Sequence, residues 1–213
     1  MKDWKKVLVL APHTDDAEFG CGGTIARLLQ GGAAVHLAAF STAVKSLPPG
    51  LPADTLAKEQ MAAARALGFT DAGCERVRIF DFEVRVFPSR RQDILELLIK
   101  LRNQLRPDLV LMPSLHDVHQ DHVTVAQEGL RAFKQTTLLG YELPWNNLSF
   151  DKQAYVSLER RHVEAKVQAL ACYESQKHRV YSSAEYIWSL AKNHGLNVNV
   201  EYAEVFEVYR WIL

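Results

Sequence analysis

The sequence has little cysteine, no excess of charge of either sign and no long apolar run. Its three cysteines, Cys21, Cys74 and Cys172, are odd in number, far apart and in no C-x-x-C arrangement. That excludes a disulfide framework and a thiolate zinc site, and a cytoplasmic location fits them best. Lys and Arg total 25 against 25 Asp and Glu, so no global field draws the protein to nucleic acid or anionic lipid, and neither is expected as a partner. The basic start through Lys6 is followed by only five apolar residues, Val7 to Ala11. This is too short for a signal-peptide core or for a span of about 20 residues, so no membrane span is expected. Internal repeats and linkers are missing too, and the richest Pro/Gly stretch, Leu47 to Pro52, reads as one surface loop.

What is present suits one globular domain over 1–213: 48% of the residues are hydrophobic, enough for a core that needs no disulfide or structural metal. Val7 to Ala11 is the continuous apolar pattern of a strand buried on both faces. A helix is expected from Glu18 to Gln30, stopped by Gly31-Gly32, then a strand from Ala34 to Phe40 and a helix from Asp54 to Leu67, ended by Gly68. A strand near Val77 to Phe80, a helix carrying Ile94, Leu95, Leu98 and Leu101, and a strand from Leu109 to Met112 continue the alternation. It predicts an α/β, Rossmann-like domain with a mostly parallel sheet and helices on both faces. Beyond it the spacing gives a helix from His122 to Phe133, strands at Thr137 to Leu143 and Tyr155 to Leu158, and helices at Glu159 to Cys172 and Ala184 to His194. Tyr202 to Trp211 alternates as a final antiparallel edge strand would.

In such sheets ligands bind beyond the carboxyl ends of the strands. After the first strand comes Pro12-His13-Thr14-Asp15-Asp16-Ala17-Glu18, and after the fourth comes His116-Asp117-Val118-His119-Gln120-Asp121-His122. The two loops bring imidazoles and carboxylates to one end of the sheet, a ligand set for zinc or another divalent metal. His13, Asp16 and one or more of His116, His119 and His122 would supply the ligands. Asp15 could take a proton from activated water, and a spare histidine could donate to a developing oxyanion. That inventory spells metal-assisted hydrolysis. The bland reading is that Asp15, Asp16 and Glu18 only complement the dipole of the first helix, but it leaves the second cluster unexplained. Gly20, Gly22 and Gly23 fit no dinucleotide or Walker pattern and are expected to allow close packing. Cys21, with no nearby basic partner to lower its pKa, is not expected to be a nucleophile.

At these residues the chain resembles a family, the zinc-dependent PIG-L or LmbE-like de-N-acetylases. Their first motif, A-H-P-D-D-x-E followed by G-G, is matched by Ala11 to Glu18 with Gly22-Gly23. Their H-x-D-H motif is matched by His119-Gln120-Asp121-His122 behind Pro107-Asp108-Leu109-Val110. Weaker agreement runs through Glu59, Ala63, Leu67, Gly68, Lys166, Tyr173, Ser175 and Gln176. The resemblance implies that His13, Asp16 and His122 bind zinc, Asp15 is the general base, His119 polarises the substrate carbonyl and Asp121 orients an imidazole, with His116 a loop residue. It implies an N-deacetylase releasing acetate from an N-acetylated sugar or sugar conjugate of the N-acetylglucosamine type, and a homo-oligomer is compatible with it. Pro12 is inserted before His13, Thr14 replaces a proline, Ser41 to Val44 replaces a Thr-Asp-Gly stretch and Leu56 stands where many relatives have Arg. Those departures bear on the substrate. Arg85 is the residue expected to pair with a substrate phosphate or carboxylate, and Trp145-Asn146-Asn147 is a candidate sugar-contacting stretch. The alternatives are a non-catalytic nucleotide-sugar-binding α/β module and a metal hydrolase acting on another amide.

Overall fold

Seven strands in the order β3-β2-β1-β4-β5-β7-β6 form the sheet on which everything else is mounted. The computed structural model describes residues 4–212. β1 (Lys6–His13) lies between β2 (Ala34–Ser41) and β4 (Leu109–Pro113), with β3 (Val77–Ile79) outside β2 and β5 (Thr137–Tyr141) outside β4, all parallel. Burial on both faces is what makes β1 continuously apolar: Val7, Val9 and Ala11 enter one core, Leu8 and Leu10 the other. α1 (Asp16–Gln30), α2 (Thr55–Leu67), α5 (Arg160–Ala171) and α6 (Ala184–Leu196) cover the first face, while α3 (Arg91–Leu105) and α4 (Gln120–Ala132) cover the second. The predicted α/β architecture, with helices on both faces, is therefore present.

The last strand differs from the expectation. β7 (Tyr202–Arg210) is antiparallel but is not an edge: it pairs β5 on one side and β6 (Ala154–Leu158) on the other, and β6 forms the edge. Its burial explains the placement, since Tyr202 through Phe206 are all buried and a solvent-facing edge would leave part of that run wet. Among the described residues no helix is long and apolar enough to cross a membrane.

The chain leaves β1 for β2 and β3 on one side and returns to β4 on the other. The topological switch point thus lies between the carboxyl ends of β1 and β4, the crevice in which open α/β sheets bind ligands. His13 ends β1, and the loop after Pro113 runs straight into α4.

Candidate active site

Three donor atoms form a nearly equilateral triangle at this crevice. Nδ1 of His13, Nε2 of His122 and Oδ2 of Asp16 stand 3.2 Å apart along each edge. Ligands about 2.0–2.1 Å from a tetrahedral ion are separated by about 3.3–3.4 Å, so this triangle fits one face of a zinc-like coordination shell. The other nitrogen of each imidazole is held by a carboxylate: His13 Nε2 lies 2.9 Å from Asp121 Oδ2, and His122 Nδ1 lies 2.8 Å from Asp117 Oδ2. Carboxylate–imidazole pairs of this kind fix the tautomer that leaves the inward nitrogen free to ligate. A wider set, His13, His119 and His122, also has its ligand atoms within 4.8 Å of one another. The cluster could hold a divalent cation, and the shorter triangle favours Asp16 over His119 in its shell.

Burial and charge set the protonation of the metal-free cluster. Burial acts to lower His122, but the carboxylates of Asp16 and Asp117 outweigh it and push the imidazole up to about 10. Asp16 responds in the opposite sense: burial opposes ionisation, yet His122 and His13 hold the carboxyl far below its ordinary range. Asp121, despite burial, is kept low by His13 and by the backbone N–H groups of Arg85 and Phe87, at 2.6 and 3.2 Å. His119 is pushed down to about 4 by burial and by the neighbouring charges of His122 and His13. Its Nδ1 accepts the N–H of Asp121 at 3.2 Å, which places the proton of the neutral ring on Nε2.

Asp15 occupies a strained position of the site. It is the N-cap of α1 with φ 87°, a left-handed conformation costly for a non-glycine residue, and its side chain makes no capping bond. Burial, together with the charge of Asp16, drives its carboxyl well above the usual carboxylate range, and the guanidinium of Arg179 pulls against that shift.

The first turn of α1, which carries Asp16, is anchored by a break farther along the same helix. At Cys21 the backbone leaves helical geometry (φ −148°, ψ 26°). The groups released by the break are satisfied by one buried ion pair: Lys166 Nζ donates to Phe19 O (2.6 Å) and Glu204 (2.7 Å), while Glu204 accepts Gly23 N and Thr24 N at 3.0 and 2.6 Å. Close packing accounts for the glycines. A Cβ at Gly20 would stand 2.2 Å from the Tyr141 ring, and one at Gly23 would stand 2.6 Å from Leu158. Lys166 also corrects the expectation that Cys21 has no cation beside it, a contact that sequence distance hid. The pairing with Glu204 cancels that cation, and burial pushes the thiol well up, so Cys21 remains inert.

A cavity of about 270 Å³ opens above the triangle. Its walls include His119, Asp15 and Arg85 together with Gln176, Arg179 and Tyr181. Arg85, itself at φ 72°, turns its guanidinium to Ser46 Oγ (3.1 Å) while its N–H serves Asp121. Trp145 stacks on Tyr181, ring centroids 3.8 Å apart and 8° from parallel, and Phe19 packs edge-on to both. Arg179 donates to the Tyr181 hydroxyl.

His13, Asp15, Asp16, Arg85, His119, Asp121 and His122 meet at this one crevice, and of the candidate sugar-contacting stretch Trp145 and Asn146 line the cavity while the Asn147 side chain accepts the N–H of Leu143. His116 does not join them. Its Nδ1 pairs with Glu207 at 2.8 Å, and Ser114 and Tyr209 bind the same carboxylate, pinning the β4–α4 loop to β7. Asp117, Arg179 and Tyr181 are additions that sequence reasoning missed. For Asp117 a signal existed, a carboxylate five residues before His122; for Arg179 and Tyr181, on a loop without periodicity, there was none.

Known proteins share this frame. Residues 8–133 match the model of the PIG-L family, GlcNAc-PI de-N-acetylase. The chain is 29% identical over 177 residues to the uncharacterized deacetylase YaiS of Escherichia coli, covering 80% of this chain and 91% of that protein. It is 30% identical over 138 residues to diacetylchitobiose deacetylase of Thermococcus kodakarensis, covering 61% of this chain and 49% of that one. Among solved structures, the conserved protein TT1542 of Thermus thermophilus superposes with a TM-score of 0.77 at 26% identity, covering 97% and 95% of the two chains. The 4-carboxy-2-hydroxymuconate hydratase GalB of Pseudomonas putida superposes with a TM-score of 0.77 at 22% identity, covering 98% of each chain, so the fold alone does not choose a reaction.

Proposed function

Because this chain belongs to the PIG-L family of GlcNAc-PI de-N-acetylases and is a hydrolase of amide bonds, we propose that it removes the N-acetyl group from an N-acetylated sugar or sugar conjugate, leaving acetate and a free amine. The observation that carries this reading is the triangle of His13, Asp16 and His122 with Asp15 and His119 on its open side. His13, Asp16 and His122 would hold the metal, with zinc the ion their donor set fits best. A divalent cation bound there supplies Lewis-acid polarisation and acidifies water.

The chain's own groups do the rest. Asp15 takes the proton of the attacking water and returns it to the departing amide nitrogen. His119, neutral and protonated on Nε2, donates to the acetamide oxygen as negative charge develops on it. Asp121 and Asp117 take the outer N–H of His13 and His122 and aim the inward nitrogens at one point, so that the proton a bound cation displaces is the inward one. Arg85 and Arg179 stand in the cavity wall, where a guanidinium can pair with a carboxylate or phosphate of the substrate.

Acetate release from N-acetylglucosamine, its glycosides, its nucleotide sugars and an N-acetylated peptide, measured with metal content on the same preparation, tests the reading. Release from the sugars with about one equivalent of zinc is expected. Release from the peptide alone would transfer the activity to another amide. A metal-free protein that binds nucleotide sugars without turnover would support a binding module instead.

A further inference from the structure

Two residues of the cavity wall, Thr14 and Gln176, each carry a buried polar atom, Oγ1 and Oε1, that finds no hydrogen-bond partner among the described residues. Both residues are only 2% exposed. Buried polar groups are nearly always paired, because one left unpaired keeps the full cost of leaving water. Thr14 lies between His13 and Asp15 and gives the protein its backbone N–H, to Ser41 O at 3.2 Å. Its hydroxyl exists only because threonine stands where the family motif has proline.

The orientation of the Gln176 amide is fixed by a chain of hydrogen bonds anchored on α2. Glu59 accepts both the N–H of Ser175, at 2.9 Å, and its hydroxyl, at 2.7 Å. A carboxylate only accepts, so the Ser175 hydroxyl places its single proton there and its oxygen is left to accept. Gln176 therefore gives Ser175 its NH2 group, at 3.0 Å, and turning the amide over would set two acceptor oxygens against each other. Oε1 is the unpaired end. It takes a hydrogen bond and gives none, so it selects a ligand that brings an O–H or N–H and disfavours a carboxylate or phosphate oxygen.

We infer that Gln176 is a specificity-determining residue whose Oε1 accepts a hydrogen bond from a hydroxyl of the sugar ring that bears the acetamide, and that the Thr14 hydroxyl, donor and acceptor at once, also bonds to a hydroxyl of that ring. This rests on the deacetylase reading. In that reading His119 serves the acetamide oxygen and Asp15 the amide nitrogen, so the donors left for Gln176 are ring hydroxyls. Thr14, one residue from both a ligand candidate and the base, places the contact on the ring that carries the scissile amide.

The test uses the zinc-loaded full chain with the methyl glycoside of N-acetylglucosamine and its 3-deoxy, 4-deoxy and 6-deoxy analogues, followed by acetate release. In the wild type at least one analogue should lose about tenfold to a hundredfold in kcat/KM, the usual effect of leaving a buried polar atom unpaired. In Gln176→Met, which keeps the length of the side chain and removes its acceptor, the ratio of parent to that analogue should fall toward one. Thr14→Val, isosteric and still carrying its N–H, should lower the ratio for its own hydroxyl in the same way. A merely structural role, or a water held by these atoms, would leave every ratio in the variants at its wild-type value. That result in Gln176→Met, or a wild type indifferent to every deoxygenation, would overturn the inference, and unchanged ratios in Thr14→Val alone would remove Thr14 from the contact. If Gln176→Met does not fold, Ser175→Ala replaces it: with its pin gone the amide is free to turn, and the same fall is expected, its absence counting against the contact. Should none of the sugars turn over, the deacetylase reading fails, and calorimetric binding of the same series decides the contact. A deoxygenation that weakens binding to the wild type and not to Gln176→Met sustains it, and equal binding across the series removes it.

Discussion

His13 Nε2 lies 2.9 Å from Asp121 Oδ2, a contact between residues 108 positions apart that joins the end of β1 to the first turn of α4. The same carboxylate gathers the N–H groups of Arg85 and Phe87. One buried side chain therefore orients a ligand candidate and fixes the loop that brings Arg85 to the cavity. Asp121→Ala should weaken zinc affinity by about 10–100-fold, as loss of a carboxylate behind a metal-binding imidazole usually does. Competition with a chromophoric chelator measures it, and affinity within twofold of wild type would remove Asp121 from that role. Asp117→Ala, acting on His122, is expected to behave alike.

Asp15→Asn should lower kcat by about 10²–10⁴-fold, the usual share of a positioned acid–base group, while zinc stoichiometry by elemental analysis stays at the wild-type level. Activity near wild type would mean that another group handles the proton.

Metal affinity should depend steeply on pH. The metal-free His122 is pushed up to about 10 and His13 is raised as well, so at neutrality the metal must displace a proton from the cluster. Affinity should rise by about tenfold per pH unit for each proton released between about pH 6 and 9. Zinc titrations in buffered metal across that window give the slope, and a flat profile would contradict the protonated cluster.

Glu18 is buried, receives Gln60 Nε2 at 2.6 Å, and is pushed up to about 7, chiefly by burial. Its folded pKa exceeds the unfolded value of 4.5, so the stability it contributes is complete at low pH and is lost as pH rises through about 7. Each pKa unit corresponds to about 1.4 kcal/mol. Glu18→Gln should remove that loss, and urea unfolding of metal-free protein at about pH 5 and 8 should show a smaller drop in the variant than in the wild type.

Lys166→Met leaves Glu204 buried without its cation and should cost about 3–5 kcal/mol in urea unfolding, whereas Lys166→Met/Glu204→Gln should recover part of it. Equal stabilities for the two variants would show that the charge pair does not close the break in α1.

Much of this was legible in the sequence. The uninterrupted apolar runs of β1 and β4 declare strands buried on both sides, and that fixes which loops share a crevice. His13, Asp15 and Asp16 follow one strand and His119, Asp121 and His122 the other, so their meeting follows from topology. The position of β7 was not legible, because alternation in Tyr202 to Trp211 reports which residues face inward and says nothing about which strands lie alongside. Asp117 was hidden by its neighbours: several carboxylates and imidazoles crowd one loop, and only the fold decides which nitrogen each carboxylate reaches. Arg179 and Tyr181 come from a segment of short 3₁₀ turns whose approach to the cavity is set by contacts far away in sequence.

The insertion of β7 between β5 and β6 also orders events in time. The ligand candidates are all present once position 122 has been synthesised, yet the groups that brace them arrive much later. Glu204 closes the break in α1, and Glu207 pins the loop ahead of α4 through Ser114 and His116. A nascent chain lacking β7 thus has every ligand candidate and neither buttress, and its sheet exposes the unpaired edge of β5. Competence to bind metal tightly should appear late on the ribosome, as a consequence of strand order alone.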